Sequence, residues 1–337
     1  MTVSPAPVSA RSGLAVGLCT YKRLPSLLRL LDHIAESAKA LAEPPVIIVA
    51  DNDGQDPAVG LAVGEFSART GLELRYRIET HPGISAARNA VFDEAEKRRV
   101  RFVAMIDDDE WPSPDWLVEL LRCQEREGAA VVGGPVRPVF PEQAAHLERY
   151  ARYWSVQKQF LEGRPFVFCT CNFLIDLEAA GSVARPFFDE AFGLSGGGDT
   201  VFFRRLFYAG MKMAWSEEAF VWEEVPPSRA SLAWMRQRRF RVGNHAVRWE
   251  SLDAGPRRSF AKTLGLTARL AVYPLFRREP ESPFLGWLLE MDKVRGRYKA
   301  HLGGVFVEYA RPKPAVAAAA ATPAAPAGQR EDDHVCG

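Results

Sequence analysis

From residue 14 to about 135 the chain alternates short apolar runs with stretches of helical spacing, and few folds accommodate that pattern. "LAVGL" (14–18), "VIIVA" (46–50) and "RFVAMI" (101–106) are apolar almost throughout. Runs of that length and β-branched content suit strands covered on both faces. "LELRYRI" (72–78) alternates with period two and reads as a further strand. Between these runs the spacing turns helical. Pro25 precedes Leu27, Leu28, Leu31, Ile34 and Ala35, "GISAARNAVFDEAEKR" follows at 83–98, and Ser113–Pro114 supplies a cap and first-turn residue for another helix. The alternation predicts an α/β fold with a mostly parallel sheet and helices on both faces.

Ligands of such sheets bind beyond the carboxyl ends of the strands. "CTYKR", "DNDGQD" and "DDDE" all fall there, so one edge of the sheet is expected to carry a site. The last cluster sets Asp107, Asp108, Asp109 and Glu110 in a row. Such a row repels itself unless a cation or shared protons relieve it. Hard-cation binding and general acid/base work are the two chemistries that use it, against the plainer reading of a solvated loop.

Other signals are weaker. There is no G-x-G-x-x-G or P-loop, and the six histidines lack ligand spacing. Five cysteines, with a C-x-C at 169–171, predict free thiols in a reducing compartment. A net charge of +1 gives no case for nucleic acid as a partner. The N-terminus does not read as a signal peptide, and no apolar run reaches about 18 residues, so a cytoplasmic protein is expected.

"VGLCTYKR", "VIIVADNDGQD", "HPGISAARNAVFDEA" and "FVAMIDDDEWPSPDWL" occur in this order, followed by "FCTCNFLID", "FDEAFGLSGGGDTVFFRRLFYAG" and "QRRFRVGN". The ordered set resembles the inverting family 2 nucleotide-sugar glycosyltransferases with the GT-A fold, over roughly residues 13–250. The resemblance implies that Thr20, Tyr21 and Arg23 line the nucleotide pocket, with Asp51 and Asp53 toward the base and Arg88 on base or phosphate. It implies a D-x-D motif at Asp107 and Asp109, with Asp108 beside it. Asp109 would bind Mn²⁺ or Mg²⁺, and Asp107 the ribose or the metal. Asp199 stands where the family has its catalytic base, which takes the proton of the acceptor hydroxyl. Gly198 replaces the glutamate usual before it, and helix N-cap is the plainer role for Asp199. Glu223 and Glu224 fall where many relatives have a metal-contacting histidine, and a structural role is the alternative. Arg238, Arg239 and Arg241 resemble the segment near the diphosphate, since guanidinium forks match phosphate oxygens, against a solvated helix face.

The expected organisation is a flexible 1–12, a glycosyltransferase domain over 13–250, a basic amphipathic helical extension over 251–310 and a disordered Ala/Pro tail over 311–337. Two helices should flank "REPESP", either packed on the catalytic domain or a second subunit, or lying on an anionic membrane surface. This layout resembles bacterial exopolysaccharide glucosyltransferases of the succinoglycan-assembly type. That implies a UDP-sugar donor such as UDP-glucose, a glycan or polyprenyl-diphosphate-linked acceptor, and a peripheral place on the inner face of the membrane. A sugar nucleotidyltransferase and a degenerate glycan-binding relative are the rival readings.

Overall fold

The computed structural model describes residues 13–183, 185–192, 197–276 and 283–306. The N-terminal segment and the Ala/Pro tail of the sequence reading lie outside them.

Strands β1 (Leu14–Thr20), β2 (Val46–Asp51), β3 (Leu74–Ile78) and β4 (Phe102–Asp107) alternate with helices α1 (Leu24–Ala38), α2 (Pro57–Thr70) and α3 (Ile84–Lys97). β5 (Glu110–Pro112), α4 (Trp116–Glu127), β6 (Val131–Gly133), β7 (Val136–Val139), β8 (Gln159–Leu161), β9 (Arg164–Phe166) and β10 (Asn172–Asp176) follow. Then come α5 (Leu177–Gly181), α6 (Gly198–Tyr208), β11 (Met213–Trp215), β12 (Val221–Glu224), α7 (Leu232–Ala254), α8 (Pro256–Phe276) and α9 (Pro283–His301).

The central sheet has the order β11-β6-β10-β4-β1-β2-β3. All its pairings are parallel except those of β10, which runs antiparallel to β4 and β6. Strand alternation divides the core in two, as the two-residue period demands. Val16, Leu18, Ile47, Val49, Ala104 and Ile106 face α1, α2 and α4. Ala15, Ile48, Val103 and Met105 face α3 and α6, where Phe92, Phe202 and Phe203 fill the layer. Each buried Leu, Val or Phe contributes about 1.5–3 kcal/mol, so this two-sided core fixes where the strand ends project.

Helix starts differ from the sequence reading in one place. Asp115, not Ser113, precedes α4; the Ser113 carbonyl instead accepts from Trp116 N at 3.0 Å in a turn. The hydrophobic run begins at Trp116, and burial of that indole sets the helix start. Two features had no sequence signal long enough to read. One is the antiparallel β10. The other is a small second sheet in the order β5-β12-β7, which roofs the carboxyl edge of the main sheet. Asn172 ties both layers together: it accepts from Trp116 Nε1 at 2.8 Å and donates to the carbonyls of Pro135 and Ala219.

The expected junction at 250 falls inside α7, which continues to Ala254 and packs with α8 and α9. A separate cluster docks α7 and α9 on the catalytic part through Phe140, Trp154, Met235 and Leu289, with Trp154 stacked on Trp234 at 6.0 Å. Among the described residues no helix is long and apolar enough to cross a membrane.

Candidate active site

β1, β2 and β4 are parallel neighbours in register, Thr20 beside Asp51 and Cys19 beside Asp107. Their polar termini therefore emerge side by side. The loop after β1 is strained: Lys22 holds φ at +58° and reaches Asp53 at 3.6 Å. Arg23 follows, and a single guanidinium nitrogen meets Asp108 at 2.9 Å and Asp109 at 2.8 Å.

The acidic row divides by burial, with Asp108 and Asp109 in the turn between β4 and β5. Asp108 is 6% exposed and points inward, accepting from Thr20 Oγ1 at 2.8 Å. Burial raises its pKa to about 6 against the opposing pull of Arg23 and Thr20. Asp107 and Asp109 are less enclosed and keep 38% and 30% of their side-chain surface. Asp107 faces Arg88 at 3.6 Å. Its carboxyl is nevertheless raised, by burial and then by the charges of Asp109 and Asp199, with Arg88 opposing.

Arg88 is placed by the loop before α3. Asn52 donates to the carbonyls of Glu79 and His81 and accepts from Gly83 N at 2.9 Å. Gly83 sits at φ +130°, a conformation that side chains disfavour, and opens the helix that carries Arg88. Asp51, expected toward the base, also has partners within the protein. It is 1% exposed, and its two oxygens accept from Asp53 N at 2.9 Å and Tyr76 OH at 2.6 Å. Asp51 thus braces the loop, and Tyr21, 38% exposed, presents a ring at the same edge.

Glu110, read in the sequence only as the last of the acidic row, has a place that the sequence reading did not assign. It is 3% exposed, accepts from Asp107 N at 3.2 Å, and lies directly across from Glu223 in the β5–β12 pairing. Like charges placed opposite on neighbouring strands destabilise each other. The Glu110 carboxyl is accordingly pushed well up by burial, then by Asp107 and Glu223. Glu223 is raised to about 7 by burial and Asp109, against Arg238 and Arg229. In "EWP" Glu110 falls on the buried side with Pro112, an alternation too short to read from the sequence. Glu224 points elsewhere: it is exposed and pairs with Arg29 of α1 at 3.0 Å.

Asp199 lies in the first turn of α6, behind Gly197 as N-cap, and its Oδ1 accepts only from the adjacent Thr200 N among the bonds described. The N-cap role is therefore taken by Gly197. A side chain on Gly198 would meet Phe192 Cβ at 3.0 Å and Ser85 Oγ at 3.4 Å, which gives a steric reason for glycine there. Asp199 is near enough to Asp107 and His245 to act on both electrostatically. From α7, Arg238 comes in beside Glu223 and donates toward Trp154 O at 3.5 Å, and Arg241 acts on His245. Arg239 turns away to pair with Glu290 on α9.

The site thus gathers Asp107, Asp109, Asp199, Glu110 and Glu223 with Arg23, Arg88 and Arg238 at one sheet edge. No group of three acids, histidines or cysteines among the described residues is arranged as a ready metal cage. The donor set is nonetheless all oxygen, and burial with mutual repulsion raises its carboxyls despite the arginines beside them, which suits a hard ion completed by phosphate oxygens and water.

Residues 15–182 match the family model of glycosyl transferase family 2, and residues 102–289 that of glycosyl transferase family group 2. The chain belongs to glycosyltransferase family 2 and is a glycosyltransferase of GT-A fold. Among curated proteins it is similar to the succinoglycan biosynthesis protein ExoM of Rhizobium meliloti (strain 1021), with 36% identity over 267 residues covering 74% of this chain and 82% of the relative. Among solved structures it resembles the mannosyltransferase PcManGT of Pyrobaculum calidifontis, in complex with GDP-Man and Mn²⁺. There the identity is 17% and the TM-score 0.53, with 89% of each chain covered.

Proposed function

We propose that this glycosyltransferase is metal-dependent and inverting, and moves one sugar from a UDP-sugar such as UDP-glucose to a glycan or polyprenyl-diphosphate-linked acceptor in exopolysaccharide assembly. The observation that carries the reading is the meeting of Asp107, Asp109 and Asp199 at one sheet edge, with Asp199 free of the capping role. The likeness to ExoM supports the exopolysaccharide setting, and the GDP-Man and Mn²⁺ in the PcManGT structure support a nucleotide sugar and a divalent ion.

In this reading Thr20, Tyr21, Arg23 and Asp53 border the nucleoside, and Arg88, Arg238 and Arg241 face the diphosphate. Asp109, with Asp107 and Glu223 as further oxygen donors, would hold Mn²⁺ or Mg²⁺, which supplies charge neutralisation for the leaving diphosphate. Asp199 accepts the proton of the acceptor hydroxyl as its oxygen bonds to the anomeric carbon. The bond from that carbon to the diphosphate oxygen breaks, the nucleoside diphosphate leaves, and the anomeric configuration inverts. Asp108 and Asp51 act as braces that hold Arg23 and the base loop.

The test is a thermal-shift panel of nucleoside diphosphates and nucleotide sugars with and without Mn²⁺, followed by NMR of the anomeric proton in the product. Ligands of the native state raise the melting temperature by mass action. Metal-dependent stabilisation by UDP and a β-linked product are expected. A product that keeps the donor's configuration, or full turnover in chelator, overturns the reading.

A further inference from the structure

A surface helix ordinarily turns its apolar side to the core. α8 departs from this by keeping apolar side chains on its outward side as well. Its inward side is Ser259, Thr263, Leu266 and Leu270, the first two buried and the last two half-buried. Phe260 is 43% exposed, Leu264 50% and Val272 42%, with exposed Ala261, Ala268 and Ala271 between them. At 3.6 residues per turn these side chains share about a third of the helix circumference, opposite the inward side.

A buried polar network fixes that orientation. Arg297 of α9, 1% exposed, bonds Glu250 of α7 at 2.6 Å and 3.2 Å, Thr263 Oγ1 at 2.8 Å and Ser259 O at 3.2 Å. Rotating α8 to bury its apolar side would strip a buried guanidinium and carboxylate of these partners, and such groups are costly when left unpaired. The outward apolar face is therefore built in. At the start of α9, Trp287 donates to Leu270 O at 3.2 Å and so ties the inward side of α8 to its neighbour, and Phe284 is 69% exposed.

Charge selects the occupant. Residues 256–276 contain Arg257, Arg258, Lys262 and Arg269 and no Asp or Glu. Arg258, Lys262 and Arg269 form a row along one border of the apolar arc, Arg257 lies within it at the helix start, and all are exposed. Lys262 also reaches Glu250 at 2.7 Å. An apolar arc with a cationic border fits a bilayer of anionic phospholipid. A second copy docked on the same face would bring the same cations with no acid in the segment to match them.

We propose that α8 is a membrane-contacting helix that lays its Phe260, Leu264 and Val272 side on an anionic phospholipid surface. This goes beyond the transferase reading and stands without it. The test is flotation of the full chain with vesicles of phosphatidylcholine, with and without phosphatidylglycerol. Binding is expected with phosphatidylglycerol, weakened by salt and lost in the double variant Phe260→Glu, Leu264→Glu. Arg258→Ser and Arg269→Ser should each lower partitioning roughly fivefold. Leu264 is 50% exposed, and Phe260 is 43% exposed with an edge contact to the His301 ring, so the melting temperature should fall little and the nucleotide-induced shift should be kept, which separates loss of membrane binding from loss of fold or donor site. Equal vesicle binding by the double variant overturns the proposal. So does absence of binding, or a dimer in solution that the double variant dissociates.

Discussion

Replacing Glu223 by Gln should stabilise the ligand-free protein, and only above mildly acidic pH. Unfolded, this carboxyl titrates near 4.5; folded, it keeps its proton to about 7. Between those values the native state binds more protons than the unfolded state, so stability falls as pH rises through that window and is flat outside it. Each unit is worth about 1.36 kcal/mol, which bounds the penalty on the ionised form at roughly 3 kcal/mol; solvent at the cleft reduces it to about 1–2 kcal/mol. Gln mimics the protonated form and carries no penalty at any pH. Urea denaturation of both proteins in EDTA should therefore coincide near pH 4.5 and diverge by pH 8, the variant being more stable. Parallel curves, or a variant less stable at pH 8, would refute the argument that burial and neighbouring carboxylates hold the Glu223 proton against the pull of Arg238 and Arg229. Repeating the pH 8 measurement with Mn²⁺ and UDP should reverse the order, because only the carboxylate gains from the cation.

Three further outcomes follow from the geometry. Asp199→Asn should lower transfer roughly 100- to 10,000-fold while leaving the nucleotide-induced thermal shift intact; loss of that shift with rapid residual transfer would contradict a base role. Arg23→Ala removes the cation from a nearly buried Asp108 and should cost roughly 1–3 kcal/mol at pH 8 by denaturant titration. The cost should shrink below pH 6, where Asp108, titrating at about 6, is protonated. Gly134→Ala would put a methyl 2.1 Å from Ala219 O and 2.6 Å from Asn172 Nδ2, so it should destabilise by roughly 1–3 kcal/mol and loosen the roof over the site.

The parallel half of the fold was legible because its strands are long, apolar and followed by helical spacing, and because parallel pairing demands such crossovers. β5, β7 and β12 were not, since strands of three or four residues leave no periodicity to detect. The same limit hid Glu110: its role comes from standing opposite Glu223, a pairing between residues more than a hundred positions apart. The strand-end acids, Arg23, Arg88 and Asp199 were readable as residues that belong together. Their division of labour was not, because Asp51 and Asp108 turn inward for reasons set by Tyr76 and Thr20. On α7 the sequence offered Arg238, Arg239 and Arg241 alike. Helical rotation sends Arg238 to Glu223 and Arg239 to Glu290.

The acidic row is stable for a different reason at each position. Asp108 has Arg23 and Thr20, Asp107 has Arg88, and Glu223 has Arg229 at 3.4 Å, while burial pushes the Glu110 and Glu223 carboxyls toward keeping a proton. Asp109 shares a single nitrogen of Arg23 with Asp108, so its charge is the least completely matched in the row. Proton uptake is a reversible substitute for a cation: it relieves repulsion while the site is empty and can be undone when a stronger counter-charge arrives. A cleft wholly neutralised by fixed arginines would be more stable, but its carboxylates would be spent. Leaving several of them raised and one only half paired keeps oxygen ligands available where β4 ends, beside Asp199. The instability of the acid row in isolation is thus what makes it a receptor for positive charge.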